Sequence, residues 1–201
     1  MIYCPNHDTF IRRPVPFYRL EKSGAGWTLR TITMAKPVIY LREFYADEVM
    51  HAYFKVMVRP FCDERYSQLF QAYGPAGCGK TTFIRHFLFG LHSNRKVIFL
   101  TSSTVLEAAE WMEEELADHR DQVLVYDAGA GDSNTGTLVH RRLWRWVKRY
   151  KGLKALFISR QLQKSFKTSP AQPGQYVLLP EFNRLDAGKA NLFFRSWEFR
   201  P

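Results

Sequence analysis

Through most of the chain, short apolar runs alternate with longer segments whose apolar residues recur every three or four positions. Leu69–Tyr73, Val97–Leu100, Val123–Tyr126, Leu156–Ile158 and Tyr176–Leu179 are largely apolar runs bounded by turn residues, the pattern of strands buried on both faces. Helix-length periodic segments lie at 80–92, 104–118, 136–150 and 184–195. Strands alternating with helices predict a parallel sheet covered on both sides, a three-layer α/β fold. The polar stretch between Ser159 and Tyr176 holds two prolines and predicts a loop or a frayed helix. Upstream, Arg42 to Val58 suits a helix, with Phe44, Val49, Tyr53 and Val56 among its apolar positions and Pro60 just beyond its end. Before it, Phe17–Leu20 and Trp27–Ile32 flank Ser23-Gly24-Ala25-Gly26 as the arms of a hairpin would. The expected organisation is a small β-rich appendage over 1–40 and an α/β domain over 41–201.

Between the first of the five strands and its helix stands Gly74-x4-Gly79-Lys80-Thr81, the full G-x-x-x-x-G-K-[ST] pattern of a phosphate loop. Glycines at 74, 77 and 79 permit a backbone whose N–H groups turn inward around phosphate oxygens, and the helix that follows points its positive end at the same anion. Gly74, Pro75, Ala76, Gly77, Cys78, Gly79, Lys80, Thr81 and Thr82 are the expected nucleotide-binding residues. Lys80 would reach the β- and γ-phosphates, and the Thr81 hydroxyl would ligate Mg²⁺. The run Val123–Tyr126 ends in Asp127, the acidic residue expected to hold Mg²⁺ through water. Many ATPases place a Glu next, but here it is Ala128, which leaves Asp132 or Glu43 as candidates to orient the attacking water. Ser159, ending the next strand, is expected near the γ-phosphate, and Arg160 and Arg184 are candidate arginine fingers. With a strand inserted between those carrying Lys80 and Asp127, the five strands would lie in the order 5-1-4-3-2, strand 1 being Leu69–Tyr73. No N/T-K-x-D motif is present, which favours ATP over GTP.

Composition adds a second signal. The chain has 201 residues, 46 % hydrophobic and 24 % charged, which excludes a largely disordered protein. Its 29 Lys plus Arg exceed 19 Asp plus Glu to give a net charge of +10. Much of that surplus sits at 139–151, where Arg141, Arg142, Arg145, Lys148 and Arg149 are candidate contacts to DNA or RNA and Trp144 lies on the basic flank, available to stack. The alternative is a solvated amphipathic helix, faced within the protein or in a homo-oligomer by Glu107, Glu110, Glu113, Glu114, Glu115 and Asp118. Cys4, Cys62 and Cys78 form no disulfide or metal pattern, and Cys78 could make the loop oxidation-sensitive. His86, His92 and His140 read as surface or flank residues. With no signal peptide or membrane span in the pattern, a cytoplasmic or nuclear setting is expected.

The order VIYLREFYADEVMHAYF, GPAGCGKTT, KVIFLTS, VLVYDAG, LFISR, YVLLPEF resembles the NTPase domain of Crinkler and retrotransposon-hot-spot-type proteins. Its R-x-x-Y helix would be Arg42-Glu43-Phe44-Tyr45, and its proline-acidic-aromatic segment Leu179-Pro180-Glu181-Phe182. The resemblance covers about residues 36–195 and implies a STAND- or AAA-like ATP-hydrolysing domain. The expected function is Mg²⁺-dependent ATP binding and hydrolysis coupled to a conformational or assembly change, with Lys80, Asp127 and Ser159 catalytic and Thr81 and Asp127 on the metal. Two alternatives stand beside it: a small phosphotransferase, and a nucleotide-gated interaction module with negligible hydrolysis.

Overall fold

A computed structural model describes residues 15–24, 26–35, 45, 47–52, 57, 61, 63, 65–90, 95–118, 122–128, 133–163 and 176–183. The strands among them are β1 (Phe17–Ser23), β2 (Gly26–Thr31), β3 (Gln68–Tyr73), β4 (Lys96–Leu100), β5 (Gln122–Asp127), β6 (Lys154–Ser159) and β7 (Tyr176–Leu178). The helices are α1 (Asp47–Ala52), α2 (Lys80–Gly90), α3 (Ser102–Glu107), α4 (Ala109–Asp118) and α5 (Ser133–Arg149). All seven strands join in one sheet of order β2-β1-β4-β5-β6-β3-β7. Every pairing is parallel except the β1–β2 hairpin.

The whole-sheet order therefore differs from the five-strand one expected. The N-terminal hairpin extends the sheet, because β1 pairs in parallel with β4 through Phe17↔Val97 and Arg19↔Phe99. Along the other five strands, β7-β3-β6-β5-β4, the relative sequence is the 5-1-4-3-2 anticipated.

Alternation within each strand sends side chains to two cores. Phe70, Val97, Val123, Val125, Leu156 and Ile158 pack with Phe83, Ile84 and Phe87 of α2. Leu69, Ile98, Leu124, Tyr126, Ala155 and Phe157 pack with α3, α4 and α5 through Val105, Met112, Val139, Leu143 and Trp146. Burial on both faces is why these strands read as continuous apolar runs.

Helix boundaries depart from the periodic reading in physically explicable ways. The segment 104–118 is two helices: α3 starts early because Thr101 forms a capping box with Thr104, and the backbone breaks at Ala108 (φ −95°, ψ 24°). Of the segment Arg42–Val58, the bend at Tyr45, α1 and Met57 are described. The helix read at 184–195, and most of the polar stretch before β7, lie outside the described residues. No described helix is long and apolar enough to cross a membrane.

Candidate functional site

Residues 74–79 leave the C-terminal end of β3 and turn directly into α2. Gly74 has φ +147° and Gly79 φ +85°, backbone that side-chain-bearing residues rarely adopt. Space constrains them as well. A Cβ on Gly74 would lie 2.1 Å from the Phe182 carbonyl oxygen, and one on Gly79 would lie 2.9 Å from the Tyr45 hydroxyl. The loop is thus gripped from both sides. The Phe182 N–H bonds the Tyr73 carbonyl at 2.9 Å, and the Tyr45 hydroxyl donates to the Gly79 carbonyl at 2.9 Å. Beneath the loop, Tyr45, Phe83 and Phe182 meet edge-on, with centroids 4.9 to 5.8 Å apart. Burial raises the Tyr45 phenol pKa above its ordinary value, with a smaller push from Cys78, so it remains a neutral donor.

The first residues of α2 carry the polar groups. Lys80 is buried, and its Nζ donates to the Gly74 and Pro75 carbonyls at 2.9 and 2.7 Å and lies 3.4 Å from Cys78 Sγ. An ammonium has three donors, and the thiol is the weakest of its three partners here. Thr81 Oγ1 donates to Asp127 Oδ2 at 2.5 Å, joining residues 46 apart in sequence. Asp127 ends β5 in register with Ile158 and is exposed, as are Ala76 and Gly77 of the loop.

Ser159 lies in register with Tyr73, one residue before the loop, but is only 3 % exposed. Its hydroxyl donates to the Gln161 carbonyl at 2.8 Å and accepts from Gln71 Nε2 at 3.1 Å. The Tyr176 hydroxyl in turn donates to Gln71 Oε1. Ser159 is thus part of a buried polar chain across β6, β3 and β7. Thr82 is half-buried on α2, and Arg160 is exposed beyond β6. Glu43, Asp132 and Arg184 lie outside the described residues.

The basic helix departs from its sequence reading at two positions. Trp144 is 9 % exposed, edge-on to Tyr176 at 5.9 Å with Lys148 Nζ 4.9 Å over its ring, so it is not free to stack on a base. His140 is buried, edge-on to Phe157 at 4.7 Å, and burial lowers its pKa to about 3. The helix turns by ~100° per residue, so these two fall between its apolar and basic stripes, where Phe157 of β6 and Tyr176 of β7 pack against them. Arg149 bonds Glu113 of α4 at 2.6 Å, which realises within one chain part of the acidic–basic facing expected. Arg141, Arg145 and Lys148 remain exposed and Arg142 is half-buried.

Three residues that shape the site were not among the site residues expected from the sequence: Tyr45, Gln71 and Phe182. Gln71 had a visible signal, a polar residue inside the apolar run Leu69–Tyr73. Tyr45 and Phe182 sit in two of the stretches that carry the family resemblance, but their contacts with the loop are long-range.

No family model and no curated protein matches the sequence. Among solved structures, Rhizobiales Trip13 is similar at 16 % identity and TM-score 0.40, over 70 % of this chain and 55 % of that one. The E. coli MS115-1 HORMA:CdnC:Trip13 complex is similar at 13 % identity and TM-score 0.37, over 65 % of this chain and 51 % of the matched one. The chain thus spans about half the length of the structures it matches.

Proposed function

We propose that the chain is a P-loop NTPase that binds ATP with Mg²⁺, hydrolyses it, and couples nucleotide state to a conformational or assembly change. The observation that carries this reading is the Thr81–Asp127 contact at the rim of the glycine loop. A hydroxyl and a carboxylate from separate elements meet where the motif calls for the two metal-side oxygens. The donor set fits the ion: Mg²⁺ takes hard oxygens, commonly one or two carboxylates with phosphates and water, and needs no all-protein cage. Among the described residues no group of three or more His, Cys, Asp or Glu offers such a cage. Bound there, Mg²⁺ would neutralise charge developing on the β- and γ-phosphate oxygens.

The chain's own groups have separable tasks in this reading. The backbone of 74–79 and the start of α2 bind the phosphates. Lys80 already lies inside the loop, and a phosphate oxygen is a far better acceptor than the Cys78 thiol at 3.4 Å, so that is the contact it exchanges. Thr81 and Asp127 orient the metal side. Ser159, held by Gln71 and Gln161, is a positioning residue at the strand end. The kinship with the Crinkler and retrotransposon-hot-spot NTPase domain belongs to the same proposal, as do nucleic-acid contacts from Arg141, Arg145 and Lys148.

One observation favours the non-hydrolysing alternative. Ala128 follows Asp127 and bonds the Ile158 carbonyl through its N–H at 2.9 Å, and its methyl side chain accepts no proton from water. Calorimetric titration with ATP, with MgCl₂ or with chelator, alongside phosphate release, tests both readings. Mg²⁺-dependent binding that Lys80→Ala abolishes is expected. Absence of ATP binding by the unaltered chain, or full binding by Lys80→Ala, overturns the nucleotide site. Binding without turnover selects the nucleotide-gated module.

A further inference from the structure

A groove of about 660 Å³ lies at the β1–β2 end of the sheet, on the α2 face and so opposite the face covered by α5. Arg19 and Arg30 line it from the hairpin and Arg85 lines it from α2, while Ile32, Met34 and Phe99 supply apolar surface. Glu21 is the one carboxylate among the lining residues, 3.5 Å from Arg30. Arg19 and Arg30 are directly opposite one another across the antiparallel pair. Like charges in that relation destabilise a hairpin, and an anion between them reverses the sign of the interaction. A third arginine from a different element converges on the same space, which packing does not require because Arg85 is exposed.

We propose that this groove binds a single-stranded nucleic acid, with Arg19, Arg30 and Arg85 on successive phosphates and an unstacked base against Phe99, Met34 and Ile32. Cationic walls over an apolar, partly aromatic floor are the combination that single-strand sites use. A duplex keeps its base faces stacked inside and offers phosphates, sugars and base edges, so it leaves the apolar floor without a stacking partner. The volume lies within the range of sites for nucleotide-sized ligands. This site is distinct from α5, which offers exposed charge without an accessible aromatic, and it needs no nucleotide turnover.

The test is fluorescence anisotropy of the full chain with labelled oligo(dT) and oligo(rU) of about 12 nucleotides, within the span of one single-strand binding unit, at several salt concentrations. Affinity should fall with salt at roughly −0.7 log units per log unit for each phosphate contact, near −2 for three. Arg19→Ala/Arg85→Ala should weaken binding at least 10-fold and flatten that slope by more than one unit. Lys151→Ala, at an exposed turn position outside the groove, should weaken it no more than about three-fold, as an outlying charge does. Arg85→Gln alone, a change at an exposed helix position, should weaken binding several-fold and keeps the test intact if the double variant misfolds. Failure of the unaltered chain to bind either oligonucleotide overturns the proposal. So does unchanged affinity in the Arg19/Arg85 and Arg85 variants, or tighter binding to a duplex of the same length.

Discussion

The Tyr45 hydroxyl and the Phe83 N–H share one acceptor, the Gly79 carbonyl, at 2.9 and 2.8 Å. The second of these is a backbone bond of α2, so a single carbonyl links the loop, the helix that leaves it and a segment 34 residues upstream. Tyr45 also packs edge-on against Phe83 and Phe182, and Phe182 braces the other end of the loop at Gly74.

Replacing Tyr45 separates the bond from the ring. Tyr45→Phe leaves Gly79 its helix bond and keeps the edge-on contacts, so a loss of about 1 kcal/mol is expected. Tyr45→Ala empties the aromatic contact as well and should cost about 3–5 kcal/mol. Urea midpoints measure both. On the proposed nucleotide site, a bond that sets loop geometry makes Tyr45→Phe weaken ATP binding several-fold as well, and unchanged affinity would show that the ring alone suffices.

Gly74→Ala tests the opposite grip. The new methyl would sit 2.1 Å from a backbone oxygen at Phe182, and φ +147° disfavours any side chain there. Neither conflict is relieved by a rotamer change. The segment carrying Phe182 must move, breaking its 2.9 Å bond to Tyr73. A loss of at least about 2 kcal/mol is expected from the strain and the broken bond. In a chain of this size that lowers Tm by roughly 4–8 °C or more, read by calorimetry. Gly77→Ala has open space around its Cβ and should cost less, from backbone strain at φ +75° alone.

At the far end of the same sheet, Lys154 is fully buried at the start of β6. Its Nζ donates to the Asp63 and Tyr66 carbonyls at 2.8 and 2.5 Å and to Gln68 Oε1 at 2.9 Å. Lys154→Met keeps the stem and removes the donors, leaving three acceptors to find partners. A destabilisation of about 3 kcal/mol is expected, and a urea midpoint within error of the unaltered chain would refute it.

These residues mark what the sequence could and could not reveal. The strands of the central sheet and the helices between them follow from local periodicity, and the loop glycines, Lys80, Thr81 and Asp127 from short-range spacing. Parallel pairing of β1 with β4 joins segments about 80 residues apart and leaves no periodic trace, so the hairpin read as an appendage. Tyr45 and Phe182 look like ordinary apolar residues, because their role comes from which glycine they face. Lys154 reads as a polar strand boundary. Trp144 and His140 lie between the apolar and basic stripes of α5, and the positions of β6 and β7 decide that both are covered.

His140 gives the last expectation, a pH dependence. Burial lowers its pKa to about 3 in the folded chain, against 6.5 for an ordinary histidine. Between those values the unfolded chain binds a proton that the folded chain does not, so stability rises with pH across that window. The contribution is fully present above about pH 6.5 and is lost as pH falls toward 3. At pH 5 the loss from this one group amounts to about 2 kcal/mol. His140→Leu removes the linkage while keeping an apolar side chain beside Phe157 and Tyr176. Its stability at pH 7 should be lower or similar, but its decline from pH 7 to pH 5 should be shallower than that of the unaltered chain by about that amount. Urea midpoints at the two pH values measure the difference directly, with carboxylate contributions common to both chains cancelling. Parallel pH profiles would mean that the His140 ring gains a proton in the folded state about as readily as in the unfolded one.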